Sequence, residues 1–491
     1  MPSNIEALRE GGLKEAAYLE EIGINPYPPE MPERTHMNSE VVAAFDSLRD
    51  QRVAVVGRIT AIRAHGKRIF FDVTDESGKI QAMLTPDESG DDSSLQLFKK
   101  GFSVGDFVGV SGNVMKTRAN VMKTRAGEVT VDTSELKMLA KSLLPIPEEL
   151  RDTETRNRKR YLDLLVNPEV LERFKFRSKM VDYMRRRFQE LGCYEVETPI
   201  LDTTYGGATA RPFTTYHNTL ETNLFLRISN ELYLKRLIAG GFEGVFEFSR
   251  DFRNEGMDRT HNPEFTQVEL YKAYTDYNWM MDKSEQLMSG IAQDLAGSTH
   301  INYMGRDIDF STPWRRLSIY DGIREAYGFD PETASEDEVR RIALDEGIEG
   351  DDVGYLLVEL FDKRVAPTLI NPTFVIDYPE STSPLTKKHR TKPGLVERFE
   401  CYVDGMEVMN CYTELNDPRK QRENFEAELR RRSAGDEEAM LMDDDFVIAM
   451  EYGMPPMGGI GISIDRFTMI FTNAEHIREV ILFPTMKPKQ R

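Results

Sequence analysis

The sequence predicts an α+β protein: a five-stranded β-barrel followed by a larger domain with an antiparallel sheet and helices. Three observations carry this. The 491 residues exceed what one hydrophobic core organises, so two or three domains are expected. Residues 52–134 contain five short β-rich runs and no long helix. Beyond the proline-containing connector LPIPEEL at 144–150, helical periodicity alternates with hairpin signals.

The bulk numbers narrow the class. Apolar residues make up 40% and charged residues 30%, as in a soluble globular protein. No apolar run reaches the roughly 18 residues a membrane span needs. The start, MPSNIEALREGG, is polar and acidic and lacks the regions of a signal peptide, so the cytoplasm is the expected compartment. Three cysteines, Cys193, Cys401 and Cys411, form no CxxC and no zinc set, which fits a reducing environment. The net charge of −20 argues against nucleic acid as a partner. The stretch 96–126 runs the other way, setting Lys99, Lys100, Lys116, Arg118, Lys123 and Arg125 against Asp106 alone.

Taken in order, residues 1–50 read as a partly helical leader with a proline-rich patch, NPYPPEMPE. Residues 51–142 hold the runs VAVVGRITAI, RIFFDVTD, IQAML, DFVGVSGNV and EVTVD, parted by turn signals such as DESGK. Strand count admits an OB-fold or an SH3-like barrel alike. VMKTRA occurs at 114–119 and again at 121–126, a duplication that a lengthened hairpin loop can absorb. Residues 143–165 are a linker, and 166–491 form the second domain. There, 174–192 is an amphipathic helix with Met180, Met184, Phe188 and Leu191 on one face; Gly192 ends it and CYEVETPIL follows as a strand. Residues 318–395 are a helical insertion.

Three segments carry chemistry. In 245–273, two β-runs flank a polar loop, and period 2 places Phe265, Gln267, Glu269 and Tyr271 on one face. An amide, a carboxylate and a phenol make a poor core and suit a ligand surface. Arg253 closes the first run and can grip a phosphate bidentately. In 398–414, Asp404-Gly405 is a two-residue hairpin signal. It pairs Tyr402 with Glu407 and sets Glu400 opposite Met409, so Glu400 and Glu407 are diagonal on one face. Such carboxylates repel, and a hard cation relieves them; Mg²⁺ with a nucleotide is the natural choice. Read alone, they are equally two glutamates on an exposed sheet face. In 457–473, Gly458, Gly459 and Gly461 lie on an apolar strand and Arg466 opens a helix. The third glycine of a dinucleotide fingerprint is missing, and no GxxxxGK[ST] occurs. The glycines allow close approach of a ligand or a neighbouring backbone.

Together these segments resemble the motifs of class II aminoacyl-tRNA synthetases. The helix and strand at 174–201 look like motif 1, FRNEG with HNPEF in 245–273 like motif 2, and GGIGISIDR in 457–473 like motif 3. Within the class, GGATARPF, LRISNELYLKRL and NCYTELNDP are similar to the bacterial type of lysyl-tRNA synthetase. The resemblance implies an OB-type anticodon-binding barrel, a class II catalytic domain and a homodimer joined through motif 1. It implies tRNA(Lys), ATP and L-lysine as substrates, with Mg²⁺. It assigns Arg253 to the α-phosphate and the substrate carboxylate, and Glu255 and His261 to ATP. Phe265 and Arg466 would sandwich the adenine, and Glu400 and Glu407 would hold Mg²⁺. Gly207, Glu231 and Glu269 would surround the lysine α-amino group, Asn410 its carboxylate, and Glu414 and Tyr271 its ε-ammonium. Tyr412 stands where the family carries an aromatic beside the pocket glutamate. In the barrel, Phe70, Gln81 and Glu128 match positions that read the anticodon.

Elementary chemistry supports part of this. A buried ammonium needs carboxylates and further acceptors, so a glutamate-rich pocket selects a cation. An aspartyl or asparaginyl specificity would want cations where Glu231, Glu269 and Glu414 stand. A paralogue that lysylates protein would not need the barrel, and a non-catalytic RNA-binding protein would not need the three motif arginine and glutamate sets. Two features of the sequence leave alternatives. Phe70 stacks on a base or packs in the barrel, and Glu231 serves a ligand or only the start of a helix. Strict alternation puts Asn410, Tyr412 and Glu414 on the face opposite Glu407, so a shared site requires a β-bulge between 407 and 410.

Overall fold

The computed structural model describes residues 4–86, 91–117, 127–433, 435 and 439–488. Two compact units divide the chain, Met1–Leu150 and Arg151–Arg491.

In the first unit, strands Arg52–His65, Arg68–Asp75, Gly78–Leu84, Glu128–Ala140 and Phe107–Thr117 neighbour one another in that order and close into a barrel. Alternation fills its interior: Ile69, Phe71 and Val73 point in, as do Ile80, Ala82 and Leu84 from the next strand. Phe70 has the opposite parity and is only partly buried, so it is not part of the core. A helix, Ser93–Gly101, lies in the chain between strands Gly78–Leu84 and Phe107–Thr117 and sets Phe98 against Phe71, ring centroids 4.9 Å apart. The first fifty residues contribute as well, since Leu19, Val41 and Phe45 join the same core. Lys99 and Lys100 occupy the last turn of the Ser93–Gly101 helix. The second VMKTRA copy, the end of the first, and Arg118, Lys123 and Arg125 lie outside the described residues.

The second unit is organised by an eight-stranded sheet. Its order is Arg315–Ser318, Thr373–Ile376, Arg398–Val403, Met406–Thr413, Met457–Ser463, Glu264–Ala273, Gly244–Phe252 and Tyr194–Glu195. Pairing is antiparallel except for the outermost pair at each end. Helix Pro168–Glu190 covers it with Met180, Met184 and Phe188 buried. It starts six residues before the expected 174, at a proline whose fixed φ suits a first helical position. The strand expected after it is short: pairing covers only Tyr194–Glu195 and, in a separate small sheet, Leu201–Asp202. Three helices, Ile319–Tyr327, Glu336–Asp345 and Val353–Arg364, stand between the first two sheet strands and enclose their own core. Before the Pro168–Glu190 helix, buried Arg160 ties the short helices at 153–166 to the C-terminal segment, donating to the carbonyls of Arg478 (2.8 Å) and Leu482 (3.2 Å).

Candidate active site

Four consecutive strands, Arg398–Val403, Met406–Thr413, Met457–Ser463 and Glu264–Ala273, form the floor of a cavity of about 380 Å³. Every residue in this unit to which the resemblance assigns a ligand contact lines it, as do Gly459 and Gly461 but not Gly458. Gly207 enters from the 206–213 loop and Glu231 from the first turn of helix Glu231–Ala239. Glu255 and His261 come from the loop between the paired strands Gly244–Phe252 and Glu264–Ala273, and Arg466 from the first turn of helix Ile464–Phe471.

One backbone irregularity makes this convergence possible. Cys401 pairs with Met409 and Tyr402 with Glu407, so Val408 is an extra residue in its strand. The bulge lies where the sequence requires one. It also corrects the register read from the hairpin turn, because Glu400 stands opposite Asn410 rather than Met409. Glu407 and Asn410 thereby share a face, and Tyr412 and Glu414 follow at period 2.

At the inner end of the cavity three carboxylates meet. Glu269, on the Glu264–Ala273 strand, accepts hydrogen bonds from Tyr271 (2.9 Å), Ser229 (3.0 Å) and Gln267 (2.8 Å). Burial, then the nearby Asp251 and Glu231 carboxylates, push it up to about 8. Glu414 is fully buried, and burial, with Glu231 beside it, also drives it up to about 8 against the pull of Lys235. Glu231 completes the group. Gly207 has φ +84°, and a Cβ there would come within 2.9 Å of Ser229 Oγ and 3.1 Å of Glu231 Cβ, so the loop can pass this close only as glycine.

The outer end is built from arginines and an aromatic ring. The Arg253 guanidinium lies over the Phe265 ring, 5.1 Å from its centroid. Arg466 donates to His261 Nε2 (3.0 Å) and to Glu407 Oε2 (3.4 Å), while His261 Nδ1 faces Asp258 (2.8 Å). Between the two ends stand Glu400 and Glu407. Burial and the Glu400 charge raise the Glu407 carboxyl above its ordinary range, opposed by Arg466, Arg398 and Arg253. Two carboxylates lining one cavity, with only oxygen donors, fit a magnesium ion that takes its remaining ligands from phosphate and water. Among the described residues no cluster of three or more His, Cys, Asp or Glu forms a self-sufficient metal site. Mg²⁺ does not require one, since one or two carboxylates beside a nucleotide suffice.

Sequence reasoning missed several residues of this site. Arg398 lies flat over Tyr378, 4.4 Å from its centroid, and touches Glu400, Ser383 (3.0 Å) and Asn410 (3.3 Å). Tyr378 and Tyr402 each donate to Glu400 Oε2, at 2.9 and 2.8 Å. Lys235 lies behind Glu231 and Glu414. Lys235 lies in LRISNELYLKRL, and Arg398 and Tyr402 in the 398–414 hairpin, yet the resemblance gives none of them a role, and the hairpin alternation that could flag Arg398 also describes any exposed strand arginine.

In the barrel, Gln81 donates to Glu128 (2.9 Å) and accepts from Thr117 (3.1 Å) and Thr130 (2.9 Å). Gln81 is buried and Glu128 exposed, on adjacent strands, while Phe70 projects from the strand paired with Gln81's.

The family profile of class II tRNA synthetases (D, K and N) matches residues 152–487, and that of the OB-fold nucleic acid binding domain matches residues 53–145. The chain therefore belongs to the class II aminoacyl-tRNA synthetases, with an OB-fold ahead of the catalytic domain. The lysine–tRNA ligase of Carboxydothermus hydrogenoformans is 46% identical over 485 residues, covering 97% of both chains. That of Moorella thermoacetica is 45% identical with the same coverage, and that of Christiangramia forsetii 45% over 96% of this chain and 85% of its own. Within the class, the chain belongs to the lysine–tRNA ligase family.

Proposed function

We infer that the protein activates L-lysine with ATP and transfers it to the 3′ end of tRNA(Lys). One observation carries the reading: three buried carboxylates close one end of a cavity whose other end presents Arg253, Arg466 and Phe265. A small dication and a nucleotide are the ligands such a cavity serves. The lysine carboxylate oxygen attacks the ATP α-phosphorus, a P–O bond forms, and pyrophosphate leaves with the electrons of the bond broken. The terminal ribose hydroxyl then attacks the activated carbonyl and AMP departs.

The residues act by positioning and charge neutralisation. Arg253 holds the α-phosphate and substrate carboxylate together. Phe265 and Arg466 hold adenine between them, with Glu255 and His261 contacting the nucleotide from the loop. Gly207, Glu231 and Glu269 take the α-ammonium, Asn410 the carboxylate, and Glu414 and Tyr271 the ε-ammonium, with Tyr412 closing the wall beside it. Glu400 and Glu407 would hold Mg²⁺, which neutralises phosphate charge when bound. Phe70, Gln81 and Glu128 form the anticodon contact on the barrel. The working unit is a homodimer in the cytoplasm. No helix among the described residues is long and apolar enough to cross a membrane.

The test is pyrophosphate exchange into ATP with each of the twenty amino acids. Exchange with lysine alone is expected. Exchange with a different amino acid would overturn the pocket assignment, and no exchange with any would overturn the activity.

A further inference from the structure

Lys235 is fully buried, and its ammonium forms ion pairs with both Glu231 and Glu414. It does not line the cavity: it reaches the two carboxylates from behind, out of the first turns of the Glu231–Ala239 helix. A lysine in a protein interior is costly unless anions compensate it, and here two do. Their arrangement is lopsided. Lys235 donates a hydrogen bond to Glu231 Oε1 and pairs ionically with Glu414 at Oε2, whereas neither oxygen of the buried Glu414 has a hydrogen-bond partner among the described residues. On the far side Glu414 is packed against Gly459, where even a Cβ would overlap Oε1. The carboxylate is thus paired with Lys235 at one oxygen, confined by a strand backbone at the other, and held in the lining of the cavity.

The charges around it also count. Three carboxylates line this end: Glu231, Glu269 and Glu414. Asp251, the next acid inward, shares Arg227 with Glu247 (3.0 and 2.8 Å) and is not part of the lining. With lysine bound and all three carboxylates ionised, one internal ammonium against three carboxylates leaves two negative charges, which matches the two ammonium groups of free lysine. Without the internal ammonium, Glu231 and Glu414 would be two adjacent buried carboxylates, and such a pair shares a proton rather than holding both charges.

We propose that Lys235 is a positioning residue for substrate selection: an internal ammonium that ties Glu231 and Glu414 together, fixes the Glu414 carboxylate in the cavity lining, and sets the pocket's charge to complement a dication. This rests on the lysine-activating reading above. It adds a group that touches no substrate yet governs how the substrate's tail is held.

Pyrophosphate exchange separates the two. Wild-type protein that exchanges with lysine establishes the underlying reading, and failure there sinks that reading first. Given that activity, Lys235→Met, which keeps the length and removes the charge, should raise the lysine KM by about tenfold or more, because a charged hydrogen-bonded network has lost its cation. The KM for ATP should stay within about twofold, since the nucleotide end of the cavity is untouched, a split that general damage to the fold does not produce. The preference for lysine over its uncharged-tail analogue norleucine should fall in parallel. Lys235→Arg, which keeps the charge, should recover most of the loss. If Lys235→Met does not fold, Lys235→Gln is the substitute, and the same loss is expected because the charge carries the effect. A folded uncharged variant with wild-type lysine KM and wild-type discrimination against norleucine overturns the proposal.

Discussion

At the residue scale the site is a problem in keeping carboxylates available. Glu269 and Glu414 are both pushed up to about 8 from an ordinary 4.5, in each case first by burial. A carboxyl raised in this way holds a proton in the folded protein that the unfolded chain has already released. Between about 4.5 and about 8 the free protein therefore loses stability as pH rises. A bound ammonium reverses the preference, because it favours the ionised form. Lysine binding should release protons near neutrality, and the lysine KM should fall as pH climbs from about 6.5 towards 8, then level off. The check is exchange kinetics across that range at saturating ATP; a lysine KM that is flat or rises with pH would contradict it. Glu414→Gln should raise the lysine KM by roughly 10- to 100-fold, the scale of a lost charged hydrogen bond of about 1.5–3 kcal/mol. Much of this was legible in sequence because the family resemblance assigns Glu231, Glu269 and Glu414 to the lysine pocket, and alternation alone sets Glu269 on a polar strand face. Lys235 was not. A Glu231–Lys235 pair four apart on a helix reads as an ordinary surface ion pair, and only its burial beneath the sheet distinguishes it.

At the scale of elements, two strands are shaped by what must pass between them. The bulge at Val408 was legible indirectly: alternation and a shared site could not both hold for Glu407 and Asn410 without it. The register beyond it was not, because turn chemistry fixes pairing only as far as the first irregularity, and Glu400 stands opposite Asn410 for that reason. The Met457–Ser463 strand is glycine-rich for a specific cause. It pairs with both Glu264–Ala273 and Met406–Thr413, and at Gly459 it runs against Glu414 on one side and Tyr271 on the other. Gly459→Ala places a methyl group where both side chains already lie. Overpacking of this kind costs about 1–3 kcal/mol, and the variant should melt several degrees lower. Its lysine KM should rise more than its ATP KM, since the displaced groups belong to the inner end of the cavity. Equal changes in the two constants would mean that the glycine serves the strand rather than the pocket.

At the scale of the whole molecule the two units divide the work, and their separation is testable because each step of the reaction draws on a different one. In the proposed reading, amino-acid activation draws only on the cavity of the second unit. Transfer needs tRNA to be recognised, and the residue proposed for that contact on the barrel is Phe70, a partly buried ring on the strand face opposite the core. Stacking of a base on such a ring contributes about 1–3 kcal/mol. Phe70→Ala removes no core contact of Phe71 or Ile69, so the barrel should keep its fold and its melting temperature. Lysine-dependent pyrophosphate exchange should be unchanged. The tRNA concentration needed for half-maximal lysylation should rise by roughly 10- to 100-fold, as that stacking energy implies. Gln81→Ala should behave similarly with an added cost in stability, because it leaves Thr117, Thr130 and Glu128 without their shared partner. Arg253→Ala should do the reverse of Phe70→Ala: it should abolish exchange while leaving tRNA affinity near that of the wild type. If Phe70→Ala leaves lysylation untouched, the ring is not a base platform and the anticodon contact lies elsewhere on the barrel. If it abolishes exchange too, the two units do not act independently, and the barrel's role extends to the activation step.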